Sequence, residues 1–173
     1  MIKIKSRTAK VYIMNNIVTK QFYATLPKNE RHRLGPRNCV CGKPLKVLYN
    51  NEIELLKKLS KYEHFPKIIS ENPKDYSFSM TYCGKNLSSL RSKKGRKVKV
   101  PKDWKDQVIK INEALVKENI YNTDIALTNI CILDNKIYLI DFGCCQPLDL
   151  KLKQNYDNRN NLIDLINKIN EVL

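Results

Sequence analysis

Three side chains in this 173-residue sequence have the types and spacing to do chemistry on a charged substrate: Asp124, Asn129 and Asp141. They lie in IYNTDIALTNICILDNKIYLIDFG, which spans 120–143. Asn129 and Asp141 flank two apolar stretches, 130–133 and 136–140, joined by Asp134-Asn135, a polar pair that signals a hairpin. A hairpin here would set the loops before and after it side by side, with Asn129 and Asp141 facing one cavity. Both carry hard oxygen donors, the kind Mg²⁺ takes alongside phosphate oxygens, so the pair are candidate metal ligands. Asp124, five residues before Asn129, would stand where an acceptor hydroxyl arrives and would accept or orient its proton. A plain hairpin with surface carboxylates would explain any one of the three; their joint spacing favours the metal site.

An aspartate, four residues, an asparagine, two apolar strands about a turn and then Asp141-Phe142-Gly143 resemble, in that order, the catalytic and metal-binding loops of the protein-kinase-like superfamily. The resemblance implies an α+β, bilobal fold: a small antiparallel-sheet N-lobe with one C-helix, and a truncated, mainly helical C-lobe. One domain would fill 1–173, with 1–82 as N-lobe, an insertion at 24–46, and 83–173 as the reduced C-lobe. ATP and Mg²⁺ would be the cofactors and a hydroxyl the phosphate acceptor, a protein serine or threonine ahead of a small molecule of the aminoglycoside or sugar type. Two alternatives stay open: a pseudokinase that binds and regulates a partner, and a basic adaptor for nucleic acid.

Strands are expected over 2–5, 9–14 and 17–23, the last two about Asn15-Asn16. Ile17-Val18-Thr19-Lys20 resembles the kinase Val-Ala-Ile-Lys strand, which implies that Lys20 reaches the α- and β-phosphates. A helix over 51–59, with Ile53, Leu56 and Leu59 at helical spacing, resembles the C-helix. That likeness makes Glu52 the partner of Lys20, with Glu54 in reserve. Strands are expected over 67–69 and 76–82, and the second resembles the strand entering a kinase hinge. Met80 would be the gatekeeper, the backbone of Thr81 to Cys83 would hydrogen-bond adenine, and Val11, Val18 and Cys131 would form the apolar sandwich around it. A helix over 104–118, with Val108, Ile111 and Leu115 on its apolar side and Asp103 as cap, would deliver the chain to Asp124. A last helix over 161–173 carries Leu162, Leu165, Ile166 and Ile169 on one side, and Asp157 and Arg159 before it would anchor the catalytic loop.

The sequence also departs from the family. Aligned on Val11, the three glycine positions of the phosphate-covering loop hold Ile4, Ser6 and Ala9, whose Cβ atoms restrict an open turn. Asn122-Thr123 replace the usual His-Arg, which removes the partner of a phosphorylated activation loop. Ala126 replaces a lysine that contacts the γ-phosphate. Thirteen residues separate Gly143 from Asp157 with no Ala-Pro-Glu motif, as in compact members such as the RIO, aminoglycoside and lipopolysaccharide kinases.

A composition of 42% hydrophobic residues supports one compact unit. No run of about 18 apolar residues and no apolar leader is present, so an intracellular, cytoplasmic protein with no membrane partner is expected. The six cysteines are expected to be reduced thiols. Cys39 and Cys41 look knuckle-like but lack a second pair, with His32 and His64 as the available histidines, so a plain loop is favoured. Cys144 and Cys145 are expected to pack between the lobes. The net charge of +15 accompanies 25 Lys, 19 Asn and 18 Ile against 7 Arg, residue types that follow A/T-rich coding, which weakens charge as a sign of nucleic-acid binding. The run from Arg91 to Lys105 concentrates eight basic residues. A solvated connection is favoured there over a docking surface for an acidic protein or nucleic acid.

Overall fold

In a computed structural model, the structure describes residues 1–6, 8–24, 44–91, 97–121, 124–147 and 159–173. Strands β1 (Ile2–Lys5), β2 (Ala9–Met14) and β3 (Ile17–Phe22) form an antiparallel meander. After helix α1 (Leu45–Leu59), β4 (Ile68–Asn72) and β5 (Ser77–Thr81) complete the sheet in the order β1-β2-β3-β5-β4. The β2–β3 register is set locally: Asn15 and Asn16 take φ of 51° and 60°, and Met14 pairs with Ile17 across a two-residue turn. Alternation along β3 then sends Val18, Lys20 and Phe22 to the buried face.

Helix α1 lies behind that face. Leu45, Leu48, Tyr49, Glu52, Ile53, Leu56 and Leu59 make its buried stripe, and the Tyr49 ring meets Phe22 edge-on at 5.9 Å. The helix begins directly after Pro44, six residues before the expected 51, so the last two residues assigned to the 24–46 insertion are helical. The loop signal of the insertion's prolines and glycines hid this start: Pro44 closes the loop but is also well suited to precede a first turn, having no N–H to satisfy. Residues 25–43, with Cys39 and Cys41, lie outside the described residues.

The second half opens with β6 (Lys85–Asn86) and the single turn α2 (Leu87–Leu90), followed by α3 (Trp104–Lys117) and β7 (Ile120–Tyr121). Then come the hairpin β8 (Ile130–Leu133) and β9 (Lys136–Leu139), β10 (Gln146–Pro147) and α4 (Arg159–Asn170). Asp134 and Asn135, at φ of 48° and 62°, close the hairpin as their types lead one to expect. β6 pairs with β8, and β7 with β10. Buried Gln107 fixes the hairpin to α3: its amide nitrogen donates to the Asn135 carbonyl at 3.0 Å and its oxygen accepts the Ile137 N–H at 2.8 Å. Asp103 stands at the N-cap of α3 without capping it; its carboxylate accepts from the Gln107 amide at 2.9 Å instead. Helix α4 starts two residues earlier than expected, at Arg159, and Asp157 and the Arg159 side chain lie outside the described residues.

The basic run is not a solvated connection over its second half. Val98, Pro101 and Trp104 are buried, and the Val98 N–H donates to the Val172 carbonyl at 2.8 Å. Lysines 97, 99, 102 and 105 alternate outward between them, so counting charge alone concealed an apolar anchor. Residues 92–96 lie outside the description. Together these elements make a mixed α+β, bilobal fold, with an antiparallel sheet against one helix in the first half and three helices with two small sheets in the second. No helix among the described residues is long and apolar enough to cross a membrane.

Gly84 joins β5 to β6 at φ 91°, and a Cβ there would sit 2.0 Å from the Ile132 carbonyl oxygen. Gly84→Ala is therefore expected to lower the urea-unfolding free energy by about 3 kcal/mol, from left-handed strain and a backbone clash. Gly143→Ala, whose Cβ would meet its nearest neighbours at 3.6 Å, is expected to change it by less than about 1 kcal/mol.

Candidate active site

Lys20 lies on the central strand β3, opposite Val11 on β2 and Phe78 on β5. Its side chain is almost wholly buried, and Nζ donates to Glu52 Oε2 at 2.6 Å and to Asp141 Oδ1 at 2.9 Å. An ammonium in such a place survives because its charge is answered twice. Burial opposes protonation, but the carboxylates of Asp141 and Glu52 outweigh it and raise Lys20 above its ordinary value. Glu52, 0% exposed, feels the opposite balance: burial pushes its carboxyl up to about 7, with Lys20 pulling it back. Glu54, the reserve partner, faces solvent and pairs with Lys58 one turn on, at 2.7 Å.

Asp141 adopts φ 67°, a left-handed conformation uncommon for a residue with a Cβ, and its side chain remains partly exposed to the cavity. Asn129 is buried. Its Nδ2 donates to the Asp124 carbonyl at 2.9 Å and to Asp124 Oδ2 at 3.0 Å, which leaves the amide oxygen as the atom suited to a cation. The Ile140 N–H donates to the Asn129 carbonyl at 2.9 Å, tying the segment before Asp141 to the loop that carries Asp124. Asp124 is exposed, and Asn122 and Thr123 lie outside the described residues. One carboxylate and one amide oxygen on adjoining segments are the hard donor types that a magnesium ion takes. Among the described residues no group of three or more His, Cys, Asp or Glu side chains gathers into a metal site.

A cavity of about 700 Å³, counted to its open mouth, runs from this polar cluster to the β5–β6 link. Val11, Val18, Met80 and Cys131 give it apolar walls, and Lys20, Glu52 and Asp141 form one end. At the other end Thr81, Tyr82 and Cys83 line it. The Thr81 N–H is taken by the Lys67 carbonyl at 2.9 Å and the Tyr82 N–H by the Asn16 carbonyl at 3.0 Å. None of the described hydrogen bonds uses the Cys83 amide. The Cys83 and Cys131 thiols are both pushed up to about 12 by burial, so they stay protonated and act as apolar surface. Asn129 and Asp141 do not face one cavity as expected: neither Asp124 nor Asn129 lines it, because Asn129 is buried with its amide turned to Asp124 and meets the segment before Asp141 through its carbonyl and the Ile140 N–H.

The loop above the cavity differs from an open glycine turn. The Ser6 N–H donates to the Ala9 carbonyl at 3.1 Å, and the Ala9 N–H returns a bond to Ser6 Oγ at 3.1 Å. Ile4 and Ser6 reach the cavity, while Ala9 is fully buried. Two amides at the glycine-equivalent positions are thus spent inside the turn. Sequence reasoning missed Asn51, which binds the loop after Asp141, and Gly84 and Asn86, which line the cavity mouth. An asparagine pair inside a helix of otherwise strong formers was the one available signal for Asn51.

No family model matches the chain, and no curated protein matches it. Among solved structures, that of WbdD at 2.2 Å superposes with a TM-score of 0.66 at 18% identity, covering 99% of this chain and 37% of that one. The Rio2 kinase-ADP/Mg²⁺-phosphoaspartate complex from Chaetomium thermophilum gives a TM-score of 0.65 at 14% identity, over 98% of this chain and 53% of that one. The Cydia pomonella granulovirus kinase PK-1 gives 0.58 at 16% identity, over 85% of this chain and 54% of that one. The chain thus spans about a third to a half of the length of these structures. The fold is protein-kinase-like.

Two outcomes are expected from the buried groups. Iodoacetamide at neutral pH should leave Cys83 and Cys131 unmodified in the folded protein and label both in urea, as read by peptide mass spectrometry. Lys20→Ala should cost about 3 kcal/mol by leaving Glu52 buried without its cation. Since burial raises the folded-state carboxyl above its ordinary 4.5, the variant's stability should be greatest below that pH. It should fall as pH rises through the variant's folded-state value, which lies above the wild type's value of about 7 because Lys20 no longer pulls the carboxyl down, in pH-dependent urea titrations.

Proposed function

We propose that the protein is an ATP- and Mg²⁺-dependent phosphotransferase, built as one kinase-like domain that divides near residue 82. The observation that carries this reading is the Lys20 ammonium held between Glu52 at 2.6 Å and Asp141 at 2.9 Å at one end of an apolar cavity. A scaffold has no need to bury a lysine and a glutamate there, because a hydrophobic pair of similar volume would serve stability as well or better. Adenine would lie between Val11, Val18 and Cys131, below Met80, with the Thr81 carbonyl and Cys83 amide at its edge. Lys20 would contact the α- and β-phosphates, and Asp141 and Asn129 would hold Mg²⁺, which supplies neutralisation of the β- and γ-phosphate charge. Asp124 would take the proton of the acceptor hydroxyl as its oxygen bonds to the γ-phosphorus and the bond to the β-bridging oxygen breaks, releasing ADP. The Rio2 complex, with ADP and Mg²⁺, supports this choice of ligands by analogy of fold.

A protein serine or threonine hydroxyl is the first acceptor reading and a small-molecule hydroxyl the second. A specific observation also favours a binding module over an enzyme: the Ser6–Ala9 turn keeps its amides to itself, removing donors that a glycine loop would offer to phosphate.

Thermal shift with and without Mg²⁺, followed by ATP turnover, decides between them. In the enzyme, Mg²⁺-ATP raises Tm, Asp141→Ala abolishes the magnesium-dependent part, and Asp124→Ala keeps binding while turnover falls at least about 100-fold. Binding without turnover in the wild type would establish the binding module. No nucleotide shift in the wild type would overturn the proposal.

A further inference from the structure

We infer that Asn51 is a positioning residue that clamps the loop following Asp141 to helix α1. Its effect on the reaction rests on the phosphotransferase reading; its effect on the loop does not. Asn51 precedes Glu52 on α1, and its Nδ2 lies 3.3 Å from the Phe142 carbonyl, 2.9 Å from that of Gly143 and 3.0 Å from that of Cys145. Three carbonyl oxygens converge on one amide nitrogen, and the Cys145 N–H donates to the Phe142 carbonyl at 3.1 Å to close the turn around it. Converging carbonyls repel one another unless a donor sits between them, so the curl of 142–145 depends on this side chain.

The clamp acts on Asp141 from the backbone side. Its carboxylate is drawn by Lys20 at 2.9 Å, while the chain just after it is tied to Asn51. Asp141 needs both, because its φ of 67° is strained for a residue with a Cβ and would relax if the following loop were released. Glu52 and Asn51 occupy successive positions of one helix, so the helix that fixes Lys20 also fixes the loop that aims Asp141. The pocket's ion pair and its candidate metal ligand are thereby set as one unit.

The test compares wild type with Asn51→Ala and the isosteric Asn51→Asp, which keeps the volume but puts a carboxylate against three carbonyls. Without nucleotide, alkylation of Cys145, 0% exposed in the native fold, should accelerate at least about 10-fold in Asn51→Ala and more in Asn51→Asp. Cys83 and Cys131 serve as internal references and should be unchanged. With ATP, the gain in affinity on adding Mg²⁺ should shrink at least about 10-fold, while metal-free binding stays within about twofold. Unchanged Cys145 labelling would overturn the assignment, as would acceleration at all three thiols, which marks general loosening. So would an Asn51→Asp variant that behaves as wild type, since packing alone would then suffice. A wild type that binds no Mg²⁺-ATP would sink the phosphotransferase reading instead, while the labelling comparison still decides the role of Asn51.

Discussion

Burying one ammonium is the constraint around which this small protein is arranged. Lys20 sits on the middle strand of the five-stranded sheet, where water cannot solvate it, and a lone charge there would cost several kcal/mol. Two carboxylates must therefore reach the same point from distant parts of the chain, 32 and 121 residues away. To bring Glu52 there, α1 has to cross behind β3 with its apolar stripe on Phe22 and Phe78. To bring Asp141 there, the β8–β9 hairpin must present its far end to the sheet. The ion pairs thus act less as a source of stability than as a requirement that only one mutual placement of the elements meets.

The placement of the hairpin is in turn met by buried polar contacts rather than by bulk. Gln107 grips the turn at Asn135 and Ile137 from α3, and the Asn129 carbonyl accepts from Ile140 between the two loops. Gln107 is sited where an apolar residue would leave the Asn135 carbonyl and the Ile137 amide without it as partner.

What could be read from the letters follows the range of the forces involved. The two hairpins were legible because Asn15-Asn16 and Asp134-Asn135 encode positive φ within two residues, and the Lys20–Glu52 pairing because strand and helix patterns could be matched to a familiar order. The spacing of Asp124, Asn129 and Asp141 was legible for the same reason. Asn51 was not, since its partners lie 91 to 94 residues on and are backbone carbonyls that any sequence possesses. Gly84 was hidden because its demand comes from the backbone of Ile132 across a two-residue strand pairing with no periodic signal. Lysines masked the anchor at Val98, Pro101 and Trp104, because composition registers charge while burial registers alternation.

The Asn15-Asn16 turn does more than set a strand register. By accepting the Tyr82 N–H at its tip, it removes one donor from the rim of the cavity and leaves an acceptor, the Thr81 carbonyl, followed by the Cys83 amide. An adenine edge offers an amino donor beside a ring-nitrogen acceptor and complements that order; a guanine edge offers a carbonyl beside a protonated ring nitrogen and inverts it. Under the proposed nucleotide reading, the turn that closes the β2–β3 hairpin would in this way help decide which purine is taken.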